Sequence, residues 1–459
     1  MRRRTAAAAV AVEAADVDRE AVAMARAPRR PQRARVPRVS FVTLGCKVNQ
    51  YETERLQRGF EEQGFEVVEP GFAADVCVVN SCSVTTEAER KSRSALRRLQ
   101  RSNPEALLVL TGCYPEMLRR LGQELDPHAL VVPNRDKLNT LRYVSEARPD
   151  LLAEACPAST ARPDAHRTRA VVKVQDGCNL NCTYCSIPFT RPAPTSRPPA
   201  EIVDEVAGLA AAGCPEVVLA GICIGLYGVD QPDCPCDLVG LIERLGAIPG
   251  GPRLRLSSIE PVHVTGSLLE AMACGGRLCP HLHLPLQSGS SRVLRAMGRP
   301  YDSDAFVRLC RLARAVVPGV GLTTDIMVGF PGETEEDFTE TGRVVREAAF
   351  HRAHIFRYSV RPGTHAAEMA DQVPAQVKDD RAHRLAELAG RLQAEQATAA
   401  WGTEHEVAVE PAPGGPGRLM GYTGNYLRVR FAGDAALVGS LARARITGGS
   451  GAVLEAVLV

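Results

Sequence analysis

Short apolar runs alternate with amphipathic stretches in the first part of the chain. Runs at 39–43, 76–79 and 107–111 have the length and β-branched content of strands, whereas apolar residues at 52–63 and 87–100 recur at helical spacing. Strands separated by helices favour a parallel sheet, because parallel strands need a crossover connection. The pattern predicts an amino-terminal α/β domain over 38–152, followed by a linker over 153–167 that contains Pro157 and Pro163.

A second alternation fills the predicted central domain at 168–396. Helical stretches separate most of its strand candidates, which lie at 171–175, 216–220, 253–257, 281–286, 321–328 and 354–358. Six strand–helix units predict a partial (β/α)6 barrel, and the active site of such a barrel lies at the carboxyl ends of its strands. Several of these ends are polar or rich in glycine, which favours a ligand site there.

The pattern changes near Trp401 to short alternating strands with Gly/Pro turns, which predicts a small β-barrel at 397–459. In residues 426–431, Leu427, Val429 and Phe431 share one face of a strand. The other face carries basic and aromatic side chains, and a later strand repeats the basic positions. Such a face is suited to RNA, and the candidate RNA-contacting residues are Tyr426, Arg428, Arg430, Arg443 and Arg445. A merely solvated face is the alternative.

The composition is that of a globular protein, since 45% of the 459 residues are hydrophobic and 24% are charged. Residues 1–37 are rich in Ala and Arg without clear periodicity, which predicts a disordered extension. We find no apolar run long enough to span a bilayer, and therefore expect no membrane partner. The fifteen cysteines do not form the dense pattern of a disulfide scaffold, so we expect a reducing, cytoplasmic location.

Three cysteines lie close together after the first strand of the central domain. Cys178, Cys182 and Cys185 have the spacing Cys-x3-Cys-x2-Cys. Three thiolates can hold three irons of a cubane cluster and leave the fourth iron open to a small molecule. A structural zinc site would need a fourth ligand nearby, which the sequence lacks. Three unligated core cysteines are the remaining alternative.

Another set of cysteines follows the three predicted strands of the amino-terminal domain. Cys46, Cys82 and Cys113 each come two or three residues after a strand. Carboxyl ends of parallel strands share one edge of the sheet, so these thiols are expected to converge despite their separation in sequence. Three such positions favour a second three-thiolate cluster over three small buried hydrophobes. Cys77 lies inside a strand and is expected in the core.

These motifs resemble a known family. The Cys178–Cys185 loop resembles the signature of radical S-adenosylmethionine (SAM) enzymes. Residues 43–54, Thr-Leu-Gly-Cys-Lys-Val-Asn-Gln-Tyr-Glu-Thr-Glu, together with 80–85 and 111–114, are similar to the amino-terminal domain of the methylthiotransferases. The carboxyl-terminal stretch resembles the RNA-binding TRAM domain of that family. Residues 44–54 are most similar to the branch that acts on threonylcarbamoyladenosine in tRNA.

The resemblance implies two [4Fe-4S] clusters, one held by Cys46, Cys82 and Cys113 and one by the catalytic residues Cys178, Cys182 and Cys185. By that resemblance, the latter cluster reduces SAM to a 5′-deoxyadenosyl radical that removes hydrogen from C2 of adenine. The other cluster holds or donates the sulfur, and a second SAM supplies the methyl group. The implied SAM-binding residues are Tyr184, Gly221, Glu260 and Gln287. The implied partners are tRNA with adenosine 3′ of the anticodon and a reductant such as a flavodoxin.

Two segments depart from the family pattern, and other interpretations stay open. Pro192-Ala193-Pro194 follows Arg191 where the family usually has glycine, and Cys223 replaces an expected histidine. The basic residues on the helix at 87–100, together with Arg101, form either a solvated face or a phosphate-contacting surface. The substrate could instead be isopentenyladenosine in tRNA or an aspartate of a ribosomal protein. A non-catalytic iron–sulfur protein that binds RNA or transfers electrons is the alternative from another class.

Overall fold

The computed structural model describes residues 36–154, 168–232, 236–413, 415 and 417–459. The predicted extension and most of the predicted linker lie outside these residues, as do Cys156 and Cys234. Within the described ranges, every helix is too short or too polar to cross a membrane.

The amino-terminal part is a parallel five-stranded sheet in the order β2-β1-β3-β4-β5. Its strands are β1 Arg38–Thr43, β2 Glu66–Val68, β3 Val76–Ser81, β4 Leu107–Gly112 and β5 Ala129–Val131. The helices are α1 Lys47–Glu62, α2 Thr86–Ser102, α3 Cys113–Arg120, α4 Thr140–Ala147 and α5 Pro149–Glu154. The three predicted strands are confirmed, while β2 and β5 were missed because three residues are too few to show a pattern.

Helix α1 begins five residues before the predicted start at 52. Cys46 occupies the N-cap position in extended conformation, and the helix follows directly. Its buried face combines apolar Val48, Leu56 and Phe60 with polar Asn49 and Glu52. Because polar side chains occupy part of the inward face, the apolar periodicity alone located the start too late.

Six parallel strands form the predicted central partial barrel. They make two three-stranded sheets, β10-β9-β6 and β11-β12-β13. Single β-bridges between Leu254 and Leu278 and between Ser258 and His283 connect the two sheets. The six strands are β6 Arg169–Lys173, β9 Glu216–Ala220, β10 Arg253–Leu256, β11 His281–His283, β12 Gly321–Val328 and β13 Arg352–Arg357. Two further short strands, β7 Gln175–Asp176 and β8 Thr195–Ser196, form a separate antiparallel pair. The predicted first strand is interrupted at Val174, after which β7 pairs with β8 and carries the chain into the cysteine loop.

Helices cover the outside of this barrel. They are α6 Ile187–Thr190, α7 Pro199–Ala211, α8 Leu238–Gly246, α9 Gly266–Ala273, α10 Ser291–Ala296, α11 Ser303–Val316, α12 Glu335–Ala348, α13 His365–Glu368 and α14 Ala375–Ala399. Leu282, Leu322 and Ile355 belong to the apolar cluster that packs between strands and helices. The alternate residues of β11–β13 therefore face the interior of the barrel. Helix α14 continues past the predicted boundary at 396.

The carboxyl-terminal part is a closed five-stranded barrel in the order β14-β15-β16-β18-β17. Its strands are β14 Glu404–Pro411, β15 Arg418–Thr423, β16 Arg428–Ala432, β17 Leu441–Gly448 and β18 Leu454–Leu458. Val429 and Phe431 lie in its core and Leu427 packs against that core, as the alternation predicts. Arg253 and Arg255 attach this barrel to the central one by donating hydrogen bonds to the carbonyl oxygens of Tyr422 and Gly424.

Tyr426 does not lie on the outer strand face with Arg428 and Arg430. It precedes β16 with a φ of +73°, and this left-handed backbone interrupts the strand alternation on which the prediction relied. Its ring stacks on His281 at a centroid distance of 4.4 Å and on Tyr422 at 4.8 Å. Tyr426 therefore packs against the amino-terminal end of β11, between the two barrels.

Candidate active site

The structure brings Cys46, Cys82 and Cys113 to one edge of the amino-terminal sheet. They follow β1, β3 and β4, which are neighbours in the sheet. Gly45 has a φ of +106°, and a β-carbon there would lie 2.9 Å from Sγ of Cys82, so only glycine allows this loop to approach so closely. All three cysteines are free, while Cys77 is buried in the core as predicted.

The environment raises the pKa of two of these thiols, those of Cys46 and Cys82. Burial raises the pKa of Cys46, although the charge of Arg191 partly opposes this effect. Burial also raises the pKa of Cys82 to about 11. Coordination to a metal deprotonates a thiol outright, so iron would convert all three cysteines into thiolate ligands.

The second set of cysteines lies on the loop that follows β7. Gly177 and Asn181 turn this loop with φ values of +74° and +50°. A β-carbon at Gly177 would lie 1.9 Å from the carbonyl oxygen of Ala193. The segment Pro192-Ala193-Pro194, which departs from the family pattern, therefore packs directly against the cysteine loop. The Cys185 amide donates to the carbonyl oxygen of Cys182 at 3.0 Å and closes the turn.

Cys223, the other departure, contacts the first cysteine of this loop. A hydrogen bond between the two thiols lowers the pKa of Cys178 to about 7 and raises the pKa of Cys223. The Cys223 amide donates to Oε1 of Gln175 at 2.9 Å. Cys223, whose thiol favours the thiolate form of Cys178, therefore occupies the position at which a histidine was expected.

Arg299 contacts this cysteine loop and was missed by the sequence prediction. Its Nη1 donates to Sγ of Cys182 at 3.4 Å, and its Nη2 forms an ion pair with Glu260. Burial raises the pKa of Cys182, whereas the guanidinium group of Arg299 lowers it. Arg299 follows helix α10 in a Gly-Arg-Pro turn without a distinctive motif, so only the fold reveals its position.

The predicted SAM-binding residues lie at the strand ends. Gln287 has a φ of +61°, which is unusual for a non-glycine residue and typical of functional sites, and its buried Oε1 has no hydrogen-bond partner among the described residues. Gly221 follows β9, where a β-carbon would lie 2.9 Å from Oε1 of Gln175. Tyr184 packs edge-on against Phe330 at 6.5 Å, and Glu260 is paired with Arg299. The unpartnered Oε1 of Gln287 and the lack of a side chain at Gly221 are compatible with a bound polar cofactor.

Within the described ranges, no three His, Cys, Asp or Glu side chains are arranged to hold a single metal ion. A cubane cluster binds each thiolate through a different iron atom, so its cysteines form a wider triangle than the ligands of one ion. Two sets of three free cysteines without a fourth ligand therefore fit clusters with an open iron.

A buried ionic network connects the two sets of cysteines. Glu52 on α1 accepts hydrogen bonds from Lys137 at 2.6 Å, from Lys173 at 2.7 Å and from Arg191 at 2.9 Å. Burial alone would raise the pKa of Glu52, but these three cations outweigh it and hold the pKa well below its ordinary value. Arg191 also binds Asp176 at 2.6 Å, two residues before Cys178. The network therefore fixes the first cysteine set against the second.

The two basic surfaces differ in how their arginines are paired. On the carboxyl-terminal barrel, Arg430 pairs with Glu455, while Arg443 and Arg445 share Glu404. Arg428 lies against Tyr422 and Met420. The exposed arginines near the end of α2 have no acidic partner within 4.0 Å among the described residues; they are Arg97, Arg98 and Arg101. Positive charge is therefore less neutralised on α2.

Two family patterns match the chain. Residues 172–345 match the radical SAM superfamily, and residues 38–132 match the uncharacterized protein family UPF0004. A solved structure of the radical S-adenosylmethionine methyltransferase TsrM from Kitasatospora setae is similar with a TM-score of 0.51 at 16% identity, over 84% of this chain and 81% of that chain. This likeness concerns the fold alone.

Named relatives cover most of the chain. The threonylcarbamoyladenosine tRNA methylthiotransferase MtaB of Bacillus subtilis is 38% identical over 89% of this chain and 93% of its own length, and that of Thermotoga maritima is 37% identical over 86% and 92%. The tRNA-2-methylthio-N(6)-dimethylallyladenosine synthase of Pelotomaculum thermopropionicum is 35% identical over 91% and 97%. The chain therefore belongs to the radical SAM tRNA methylthiotransferases, enzymes that use SAM and two [4Fe-4S] clusters.

Proposed function

We propose that this enzyme attaches a methylthio group to C2 of threonylcarbamoyladenosine next to the anticodon of tRNA. The observation that carries the proposal is the identity of 37–38% with relatives named for that substrate, over 82–89% of the chain. The motif at residues 44–54, which contains Cys46, Lys47 and Glu52, supports the same branch.

Each set of cysteines would hold one cluster. Cys178, Cys182 and Cys185 would bind the cluster that activates SAM, and Cys46, Cys82 and Cys113 would bind the other. When bound, the clusters and SAM supply the one-electron chemistry, the sulfur and the methyl group that methylthiolation requires. Arg299 orients the Cys182 side of the loop, and Gly221, Glu260 and Gln287 would position SAM at the strand ends. Tyr184 packs the loop against Phe330.

Dimethylallyladenosine in tRNA is the second candidate substrate. Relatives named for its modification are 33–37% identical to this chain, only slightly less than those named for threonylcarbamoyladenosine. The two substrates differ at N6 of adenine, where one carries a polar group with a carboxylate and the other an apolar chain. The side chains that surround N6 therefore decide between the two.

Two surfaces are proposed to contact the tRNA. One is the carboxyl-terminal barrel, through Arg428, Arg430, Arg443 and Arg445. The other is α2, whose exposed arginines lie opposite its buried face of Leu96 and Leu99. Phosphate contacts from such cations supply much of the affinity for nucleic acid. The proposed location is the cytoplasm, where tRNA and a flavodoxin-type reductant would both be present.

The proposal is tested by nucleoside mass spectrometry of total tRNA from cells that lack the gene and from cells to which it is returned. We expect 2-methylthio-threonylcarbamoyladenosine to disappear and to return with the gene. Loss of 2-methylthio-dimethylallyladenosine instead would establish the second candidate. If neither nucleoside changes, the target is not one of these tRNA bases, and a ribosomal-protein aspartate becomes the substrate to examine.

A further inference from the structure

Three neighbouring strands place polar side chains in one layer inside the central barrel. His283 on β11, Asp325 on β12 and His354 on β13 lie on the face opposite the helix-packed residues. Nε2 of His283 is 3.3 Å from Oδ2 of Asp325, and the rings of His283 and His354 are 6.1 Å apart. Asp325 and His354 are directly paired in the register of β12 and β13.

The polar layer is closed at one end. Oγ1 of Thr323 is hydrogen-bonded to Nε2 of His281 at 2.9 Å and to Nδ1 of His283 at 3.0 Å. Below it, Tyr426 stacks on His281, and the guanidinium group of Arg255 lies 5.1 Å from the Tyr426 ring. Because the carboxyl-terminal barrel covers this end, a ligand must approach the layer from the carboxyl ends of the strands.

The layer adjoins the proposed SAM-binding residues. The carbonyl oxygen of His283 accepts from the amide of Ile259, next to Glu260, at 3.0 Å, and the carbonyl oxygen of Asp325 accepts from the amide of Gln287 at 2.9 Å. The layer therefore directly adjoins the proposed SAM-binding residues.

A purely structural role fits these side chains less well. A structural polar layer in a barrel is closed off from water. Here the Asp325 side chain is 33% exposed, the His283 side chain is 16% exposed, and His354 is exposed. These groups are therefore accessible to solvent, and they can still take a hydrogen-bonded ligand.

We propose that His283, Asp325 and His354 form the subsite for the substituent on N6 of the target adenosine. This inference rests on the proposed function and names the residues that select its substrate. A threonylcarbamoyl group offers a carboxylate to the imidazole N–H groups, and hydroxyl and urea N–H donors to Asp325. A dimethylallyl group offers no polar atom and would leave these side chains desolvated without partners, which can reduce reactivity by as much as about 10⁴-fold.

The test compares two tRNAs that differ only in carrying threonylcarbamoyl- or dimethylallyl-adenosine at the target position. Binding of each tRNA and the rate of methylthiolation are measured for the cluster-loaded enzyme and for His354→Phe and Asp325→Asn. We expect each substitution to reduce the preference for the polar substrate at least tenfold, with binding of the dimethylallyl tRNA unchanged or stronger. His354→Gln should retain part of the preference. The matched control His383→Phe changes an exposed histidine on α14 and should leave the preference intact.

Unchanged preference in both His354→Phe and Asp325→Asn would overturn the subsite, as would an equal loss in the His383→Phe control. Cluster absorbance and thermal unfolding, measured for every variant, separate a folding defect from a change in selectivity, and the ratio between the two tRNAs cancels any general loss of activity. A wild-type enzyme that modifies only the dimethylallyl tRNA would instead refute the proposed function itself. If the wild type prefers the polar substrate and both variants keep that preference, only the inference about these residues would be refuted.

Discussion

Arg191 donates two hydrogen bonds to Glu52, at 3.1 and 2.9 Å, across the buried contact between the central barrel and helix α1. Both side chains are nearly inaccessible, with exposed fractions of 3% and 4%. The carbonyl oxygen of the same arginine accepts from the Cys178 amide at 3.4 Å, while α1, which carries Glu52, starts directly after Cys46. One ion pair therefore connects the loops of the two cysteine sets.

Removing the charge of Glu52 should strongly destabilise the protein. Glu52→Gln leaves Lys137, Lys173 and Arg191 close together with only Asp176 to compensate them. Loss of one partner from a buried ionic group reduces the free energy of unfolding by about 3–5 kcal/mol. Urea unfolding of the full chain measures this difference. The control Glu62→Gln, an exposed change on the same helix, should stay within about 0.5 kcal/mol, and an equally small effect of Glu52→Gln would contradict the account.

The same carboxylate predicts a pH dependence of stability. Because the pKa of Glu52 is held well below its ordinary value, its stabilising contribution is fully present above the unfolded pKa of about 4.3 and is lost as the pH falls toward the folded pKa. The difference in unfolding free energy between the wild type and Glu52→Gln should therefore shrink below about pH 4. A difference that stays constant from neutral to acidic pH would show that Glu52 is not ionised in the network.

Tyr426 provides a test of the contact between the two barrels. Tyr426→Ala removes an aromatic ring stacked on His281 and Tyr422, so we expect a loss of about 2–3 kcal/mol of unfolding free energy. Tyr426→Phe should change it by less than about 0.5 kcal/mol, because the Tyr426 hydroxyl group has no hydrogen-bond partner in the described part of the chain. If Tyr426→Ala instead weakened RNA binding without changing stability, the result would contradict this packing role. It would support the outer-face position that the strand alternation predicted.

The long strands and the two cysteine sets were predictable because their signals are local. Buried parallel strands such as β3 and β4 begin with continuous apolar runs, and a cysteine just after such a strand is placed at the sheet edge by topology alone. The tight spacing of Cys178, Cys182 and Cys185 needs no tertiary information.

The residues that connect these pieces could not be predicted in the same way. Lys137 is buried in a short 3₁₀ turn where nothing in the sequence distinguishes it from a surface lysine, and its partner Glu52 is 85 positions away. Arg299 reaches Cys182 from a turn more than a hundred residues later. Tyr426 follows the strand pattern but has a left-handed backbone that only tertiary contacts stabilise. Long-range pairing and local backbone reversals leave no periodic signal.

The unpaired arginines of α2 predict a specific change in the salt dependence of tRNA binding. Each lost phosphate contact lowers the slope of log affinity against log salt by about 0.7–0.9, so replacing Arg97, Arg98 and Arg101 by Gln should lower it by about 2. The corresponding substitutions of Arg430, Arg443 and Arg445 should change the slope less, because Glu455 and Glu404 already neutralise those side chains. Filter binding of unmodified tRNA at several salt concentrations gives the slopes.

The control for this prediction replaces three exposed arginines on the outer helices α11, α12 and α14, Arg308, Arg346 and Arg391, by Gln. These substitutions remove the same charge and should leave the slope unchanged. If the α2 substitutions also leave it unchanged, that helix face is merely solvated, which is the alternative that the sequence left open.

The most direct test of the central claim is a defined reaction with purified, cluster-loaded protein. The protein is incubated without oxygen with SAM, a reductant and tRNA that carries threonylcarbamoyladenosine next to the anticodon, and the nucleosides are analysed by mass spectrometry. The account predicts 2-methylthio-threonylcarbamoyladenosine together with 5′-deoxyadenosine, and neither product when Cys178, Cys182 and Cys185 are replaced by Ala. Absence of both products from the wild-type protein, with both clusters present and tRNA bound, would contradict the account and favour a non-catalytic role.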